Sequence, residues 1–186
     1  MGLARLPVSI ETERLALRRF AAGDGPGIFA YSRDPLWAKF QQTTPATEHE
    51  AERLLADLRA RSWEREPAWA ITRAGELIGV VSLIFSAGHR IALLGYGIHS
   101  AHRGLGLTGE AIRAVLDAAF DALPALTRVT ANTDARNAGS CRVLTKLGFQ
   151  HEGTLRSGAV TARGELVDGV IYGLLRSEWQ AAETAS

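Results

Sequence analysis

The order of apolar and polar positions divides the chain into alternating strands and helices. Leu15 and Leu17 alternate with Ala16 and Arg18, which predicts a short strand over Leu15–Arg19. Ala22–Gly27 reads as a turn, with Asp24 placed to cap a short helix through Tyr31. Thr47, followed three residues on by Glu50, forms a capping box. It opens a helix predicted to run to about Glu66, with Leu54, Leu55 and Leu58 on one face and Pro67 as its stop. Strands are predicted next over Ala68–Arg73, Glu76–Phe85 and Ile91–His99, the first two joined by an Ala74–Gly75 turn. After the loop Ser100–Leu107, apolar residues at Ala111, Ile112, Val115, Leu116, Ala119 and Phe120 mark a helix over Thr108–Ala122. A strand over Thr127–Asn132, a helix over Ala138–Leu147 ended by Gly148, and strands over Phe149–Arg156 and Leu166–Leu175 complete the pattern.

Three strands separated only by hairpin-sized turns cannot all be parallel. The expected fold is therefore α/β of the mixed, α+β kind, with six or seven strands and helices on the sheet faces. The 186 residues, 46% of them hydrophobic, suffice for one domain with a proper core, placed at residues 10–179 between short extensions at 1–9 and 180–186.

Composition mostly removes options. The net charge is +1, which gives no global attraction to nucleic acid or to an anionic membrane. Cys141 is the single cysteine, so no intrachain disulfide can form. His49, His89, His99, His102 and His151 show no paired ligand spacing, so no metal is expected. No apolar run is long enough for a signal peptide or a membrane span, and the expectation is a cytoplasmic protein.

The chemistry concentrates in two clusters. The first is His102–Arg103–Gly104–Leu105–Gly106–Leu107–Thr108–Gly109–Glu110, immediately before a helix. Glycines let a phosphate approach the backbone, the helix N-terminus supplies unpaired N–H groups, and Arg103 adds a charged donor, so a pyrophosphate fits. A plain connecting turn would also explain the glycines. Gly104, Gly106 and Gly109 also spell the dinucleotide fingerprint, with Asp134 near the position of a ribose-binding acid. The gap between the strand and Gly104, and the antiparallel strands before it, oppose that reading. The second cluster runs from Asn132 to Phe149. Asn137 is a good N-cap, Ser140 lies in the first helical turn, and Cys141 reads as a small buried hydrophobe.

Together the clusters resemble the coenzyme A-binding core of the GNAT superfamily of N-acetyltransferases. The run Arg103–Gly104–Leu105–Gly106–Leu107–Thr108 is similar to its acyl-CoA loop, with Thr108 where Gly or Ala is usual. Asn137–x–x–Ser140, Lys146–Leu147–Gly148–Phe149 and Glu152–Gly153 resemble the RimJ/RimL-type branch, which includes acetyltransferases of ribosomal-protein N-termini. So do Thr12–Glu13–Arg14–Leu15 with Leu17–Arg18, Gly95–Tyr96, Asp168…Tyr172 and Glu178–Trp179.

The resemblance implies acetyl-CoA held in a V-shaped split between two parallel strands, Ile91–His99 and Thr127–Asn132. It implies backbone groups at Ile98 and His99 pairing with the pantetheine arm, and N–H groups of Arg103, Gly104, Leu105, Gly106, Leu107 and Thr108 on the pyrophosphate. It further implies Asn137 near the pantetheine, the N–H near Ile98 as oxyanion donor, and direct attack by an amine. The tyrosine that many members place seven residues after the Asn is Leu144 here, so the branch's Ser, Ser140, is the expected proton donor to the thiolate. An acidic residue that the branch often carries is Leu93 here, so no base is assigned; Glu110, His99 and His102 are candidates with plain structural alternatives, and Asp168 is expected to fix the last hairpin. The acceptor is a primary amine, with a protein N-terminus, a small amine or an antibiotic all open. A silent acyl-CoA-binding module is the alternative of another class. Branch members are often dimers, so a homodimer is one expectation. Residues 34–42 either line an acceptor groove or put Trp37 and Phe40 into the core, and the small, polar 157–164 segment is expected as a loop.

Overall fold

The computed structural model describes residues 6–40, 44–161 and 164–184. Along the chain the elements are β1 (Ser9–Glu11), β2 (Ala16–Arg19), α1 (Gly25–Ser32), α2 (Pro35–Phe40), α3 (Glu48–Ala60), β3 (Ala68–Arg73), β4 (Glu76–Ser86), β5 (Ile91–Ile98), α4 (Leu107–Ala122), β6 (Arg128–Asp134), α5 (Ala138–Lys146), β7 (Gln150–Val160), β8 (Leu166–Leu175) and α6 (Arg176–Thr184). The strands form one mixed sheet in the order β1-β2-β3-β4-β5-β6-β8-β7. Every neighbouring pair is antiparallel except β5 and β6.

Both sides of the sheet's centre are covered, and β3 records this directly. Trp69 and Ile71 enter a large core with Leu107, Ala111, Ile112, Val115, Leu116, Ala119 and Phe120 of α4, whereas Ala68 and Ala70 enter a smaller core with Ile28, Tyr31, Trp37, Ala51 and Leu55 of α1–α3. Successive residues of a strand face opposite ways, so one five-residue buried run serves two helical layers. The apolar stripe read from α4 is the part that goes inward.

The split expected between two parallel strands is present. β5 and β6 pair only through Ile91–Leu93 with Arg128–Thr130. Beyond that point β5 stays on β4 as far as Ile98, and β6 stays on β8 as far as Asp134, so the two strands diverge. Their unpaired edges and the helices that follow them, α4 and α5, frame the opening.

Some expectations change. The sheet has eight strands rather than six or seven, because β1 pairs Ser9, Ile10 and Glu11 with Arg18, Leu17 and Ala16. α3 ends at Ala60 and not near Glu66. Arg61 turns to ψ 140°. Arg65 and Glu66 then donate to the Ser62 carbonyl at 3.1 and 2.7 Å, and Trp63 Nε1 reaches back to the Leu6 carbonyl at 3.0 Å. Thr47 caps α3 by accepting from Glu50 N–H at 3.2 Å, but the Glu50 carboxylate takes the Ala46 N–H, one residue earlier than a capping box requires. Asp24 does not cap α1 with its side chain; it accepts from both Arg18 Nη atoms at 2.7 and 2.8 Å and from Ala21 N–H at 2.8 Å. β7 extends past Arg156 to Val160 through a register shift at Leu155/Ala159, where Asp168 accepts from Ser157 N–H at 2.8 Å.

Candidate active site

A cavity of about 1230 Å³ occupies the split. Its walls come from Leu94–Ile98 of β5, His102–Gly109, Asn132–Ser140, and on the outer side α2 and the β7–β8 hairpin. The glycine loop forms one end. Gly104 and Gly106 have φ of +77° and +79°, values that residues with a Cβ avoid. Gly106 holds the N-cap place of α4 without any side-chain cap. Within the described residues, the N–H groups of Gly104 to Gly109 have no hydrogen-bond partner, while Gly106 O accepts the first helical bond from Glu110 at 3.1 Å. A run of open N–H groups at a helix start is the donor set a pyrophosphate requires. Arg103 differs from expectation in one respect. Its N–H donates to the Ser100 carbonyl at 3.0 Å and is not open to a ligand, whereas its guanidinium lines the cavity and its Nε approaches the Ile98 carbonyl at 3.4 Å.

The loop is braced from the N-terminal segment, which explains the Thr12–Arg14 pattern physically. Glu110 accepts from Thr12 Oγ1 at 2.6 Å, from Arg14 N–H at 3.0 Å and from Arg14 Nε at 2.6 Å. Arg14 Nη1 then donates to the Leu105 carbonyl at 2.8 Å. Burial raises the Glu110 pKa, but these donors outweigh it and hold it below the usual carboxylate range. A carboxylate so engaged is a structural anchor and a poor base.

Of the two strand positions expected on the pantetheine arm, the structure leaves one open. His99 N–H donates to the Ile78 carbonyl at 2.8 Å, so it faces β4. Successive N–H groups point to opposite strand edges, which turns Ile98 N–H toward the split. His99 Nδ1 accepts from Ala101 N–H at 3.2 Å and serves the turn before the loop; His102 lines the cavity. Asp34 is also a brace: its buried carboxylate accepts from Ser100 N–H at 2.7 Å and Leu36 N–H at 2.9 Å.

At the other end, Asn137 Oδ1 accepts from Ser140 N–H at 3.1 Å, confirming the N-cap. Ser140 Oγ is 2.5 Å from Tyr96 Oη, and both residues line the cavity. Tyr96 stands on the β5 face shared with Ala92, Leu94 and Ile98, so its ring leans on the large core and its hydroxyl reaches α5. Burial, partly opposed by the bond to Ser140 and reinforced by Cys141 and Tyr172, pushes the Tyr96 pKa up to about 12. Cys141 packs against the large core, as expected of a small hydrophobe. Asp134 does not face a ribose; Arg136 donates to it from Nη2 at 2.7 Å and from N–H at 2.8 Å, and Arg136 also pairs with Glu165. Arg136 holds the Asp134 carboxyl below its usual range despite burial.

Sequence reasoning left Tyr96 as one half of a Gly–Tyr pair with no site role, and assigned nothing to Arg142 and Lys146, which line the cavity from α5. Spacing along α5 was the available signal for the two cations; for Tyr96 there was none. Residues 34–42 resolve both ways: Trp37 is buried in the small core and still lines the cavity, Phe40 is half-buried and lines it, and Gln41 and Gln42 lie outside the described residues. Among the described residues no group of His, Cys, Asp or Glu is arranged to hold a metal ion, and no helix is long and apolar enough to cross a membrane.

The family model described as an acetyltransferase (GNAT) domain matches residues 14–150. The chain is 31% identical over 172 residues to the uncharacterized N-acetyltransferase YoaA of Bacillus subtilis (strain 168), covering 90% of this chain and 96% of that protein. The crystal structure of an acetyltransferase from T. thermophilus superposes with a TM-score of 0.84 at 28% identity, covering 96% of this chain and 95% of that one. The fold is shared as well, at 23% identity and a TM-score of 0.79 over 93% of this chain and 99% of the other, with a ribosomal-protein-S5-alanine acetyltransferase from Vibrio fischeri. The splayed parallel strands, the open-amide loop before α4 and the family match over residues 14–150 place this chain in the GNAT family of acetyl-CoA-dependent N-acetyltransferases.

Proposed function

We propose that the chain acetylates a primary amine at the N-terminus of a peptide or protein, in the manner of the RimJ/RimL-type branch, within one catalytic unit over residues 10–179. The observation that carries the reading is the shared cavity. The N–H groups of Gly104–Thr108 lie at one end, the Ser140 hydroxyl at the other, and Ile98 N–H between them.

The residues divide the work as follows. The amides of Gly104, Leu105, Gly106, Leu107 and Thr108, with the Arg103 side chain, hold the pyrophosphate of acetyl-CoA. Ile98 N–H donates to the thioester oxygen as negative charge grows there. Asn137 fixes the first turn of α5 and so the place of Ser140, whose hydroxyl gives a proton to the departing thiolate. The ring wall of Tyr31, Trp37 and Phe40 and the β7–β8 hairpin receive the acceptor. Asp134 is the one carboxylate among the described residues lining the cavity, and Arg136 occupies it. A polycationic acceptor would find no free acid there, which favours a peptide N-terminus.

The test measures thiol release from acetyl-CoA against short peptides of different N-terminal residues, amino acids, polyamines and aminoglycosides, with acetyl-CoA binding followed by calorimetry. Release with peptides is the expected result. Release only with small amines replaces the acceptor class, and tight binding without release across the panel makes the chain a silent acyl-CoA-binding module. Ser140→Ala should lower turnover by about 100-fold, the lower end for a lost general acid, with little change in acetyl-CoA affinity.

A further inference from the structure

A serine hydroxyl is by itself a feeble acid toward a thiolate. An ordinary thiol has a pKa of about 8.5, whereas an isolated alkoxide is far too basic to be left behind by such a base. Ser140 can serve only if its oxygen is re-protonated as its own proton departs. In this structure it has a partner for that. Tyr96 Oη lies 2.5 Å from Ser140 Oγ, and its other polar neighbour, the Ser140 carbonyl, is more distant at 3.4 Å. Ser140 N–H is committed to Asn137, so the serine is held from two directions.

We infer that Tyr96 and Ser140 act as a two-hydroxyl proton relay, in which Tyr96 donates to Ser140 Oγ while Ser140 donates to the thiolate sulfur. This rests on the reading of Ser140 as the thiolate's proton donor. Atoms and protons balance. The amine nitrogen bonds to the thioester carbon and the C–S bond breaks. The sulfur takes the Ser140 proton, and Ser140 Oγ takes the Tyr96 proton. The phenolate then recovers, through water in the cavity, the proton that the acylated nitrogen sheds. No oxidant or further reactant is needed. Tyr96 need not touch the coenzyme, so it is a positioning and relay residue.

The surroundings suit a donor that stays protonated. The ring lies between β4, β6 and α5, on the core side of the sheet. The titratable neighbours that act on it are Cys141 and Tyr172, both neutral when protonated, and burial adds to their effect, so the phenol keeps its proton throughout the neutral range. No carboxylate or cation is among the groups that act on it.

The experiment compares the wild type with Tyr96→Phe, Ser140→Ala and the double variant, each with the best acceptor from the panel above. The relay predicts that Tyr96→Phe lowers kcat at least about tenfold. The KM and Kd for acetyl-CoA should stay within about twofold, and the double variant should be no slower than Ser140→Ala, as expected of groups that act as a unit. Fluorinated tyrosine at position 96 keeps the ring's size and makes the phenol more acidic. It should bring a fall in kcat at high pH into the measurable range, since a phenolate has no proton to give. A packing role would leave that limb where it was. Three results overturn the relay: kcat unchanged in Tyr96→Phe, losses in the two single variants that simply multiply in the double, or a pH profile indifferent to fluorination. Full activity of Ser140→Ala alongside a slow Tyr96→Phe rejects the serine as donor and makes the phenol the direct acid. Absence of thiol release from the wild type with every acceptor rejects the enzymatic reading itself, before either residue is tested.

Discussion

Two helices begin on opposite lips of the same split, and they use their N-termini in opposite ways. α4 starts at Gly106, which offers no capping side chain and leaves the amides around it open. α5 starts at Asn137, whose amide oxygen consumes the N–H of Ser140. Both helices turn the positive end of their dipole toward the cavity. The first commits its unpaired backbone donors to a ligand and needs glycine to do so. The second satisfies its backbone internally and offers a side-chain hydroxyl. A parallel pair that splays thus produces two different kinds of site from one kind of element, and the cap residue decides which.

The comparison breaks most severely at Gly106. Gly106→Trp places a side chain where φ is +79° and fills the space in front of the open amides. Acetyl-CoA affinity should fall at least about 100-fold, or about 2.7 kcal/mol, with the far-ultraviolet circular dichroism unchanged. Retained binding by calorimetry would move the pyrophosphate elsewhere.

A milder loss should come from loosening the brace behind that loop. Glu110→Gln removes the ion pair to Arg14 while keeping the side chain's shape, and should weaken acetyl-CoA binding about tenfold, the scale of one charge-assisted hydrogen bond. The pH dependence has a definite sign. The Glu110 pKa is lowered by folding, so its contribution to stability is complete above the ordinary glutamate value of about 4.3 and disappears as pH falls through the folded value. Melting curves of wild type and Glu110→Gln should therefore differ at pH 7 and converge in acid. A gap that persists at pH 3 would assign the brace to something other than the carboxylate's charge.

On the α5 side, Asn137→Ala removes one cap. The expected cost is about 1 kcal/mol, which lowers the melting temperature of a chain this long by about 2–4 °C. Turnover should fall more than acetyl-CoA affinity, because the cap positions Ser140 and leaves the α4 amides alone. An equal fall in both would mean that Asn137 itself touches the coenzyme.

What the sequence made legible, and what it hid, follows the range of the forces involved. β8 lies where the apolar pattern puts it, Leu166–Leu175, and α4 begins one residue early, because buried stripes and caps are local signals. β1 has no pattern of its own; three residues become a strand only because β2 offers an edge. The end of α3 was hidden because Trp63 is drawn to the carbonyl of Leu6, far back in the chain. The glycine loop and the Asn137 cap were readable from a few adjacent residues. The Glu110 brace and the Tyr96–Ser140 contact were not, since each joins segments brought together by sheet register.

The smallest expected effect is at Thr108, and it sharpens the contrast between backbone and side-chain sites. Thr108 departs from the small residue usual at that place in the loop, is half-buried, and sits one residue inside α4. If the loop binds through its amides, the side chain beyond Cβ is dispensable. Thr108→Ala should leave acetyl-CoA affinity within about twofold and raise stability by a few tenths of a kcal/mol, about the difference in helix propensity between the two residues. Thr108→Val keeps the shape and removes only the hydroxyl. A tenfold loss in both variants would show that the hydroxyl is itself a phosphate ligand, and the α4 end would then resemble the α5 end more than its open amides suggest. A loss in alanine alone would point to packing around the loop. No loss in either leaves the division intact: amides bind on one lip of the split, and a hydroxyl acts on the other.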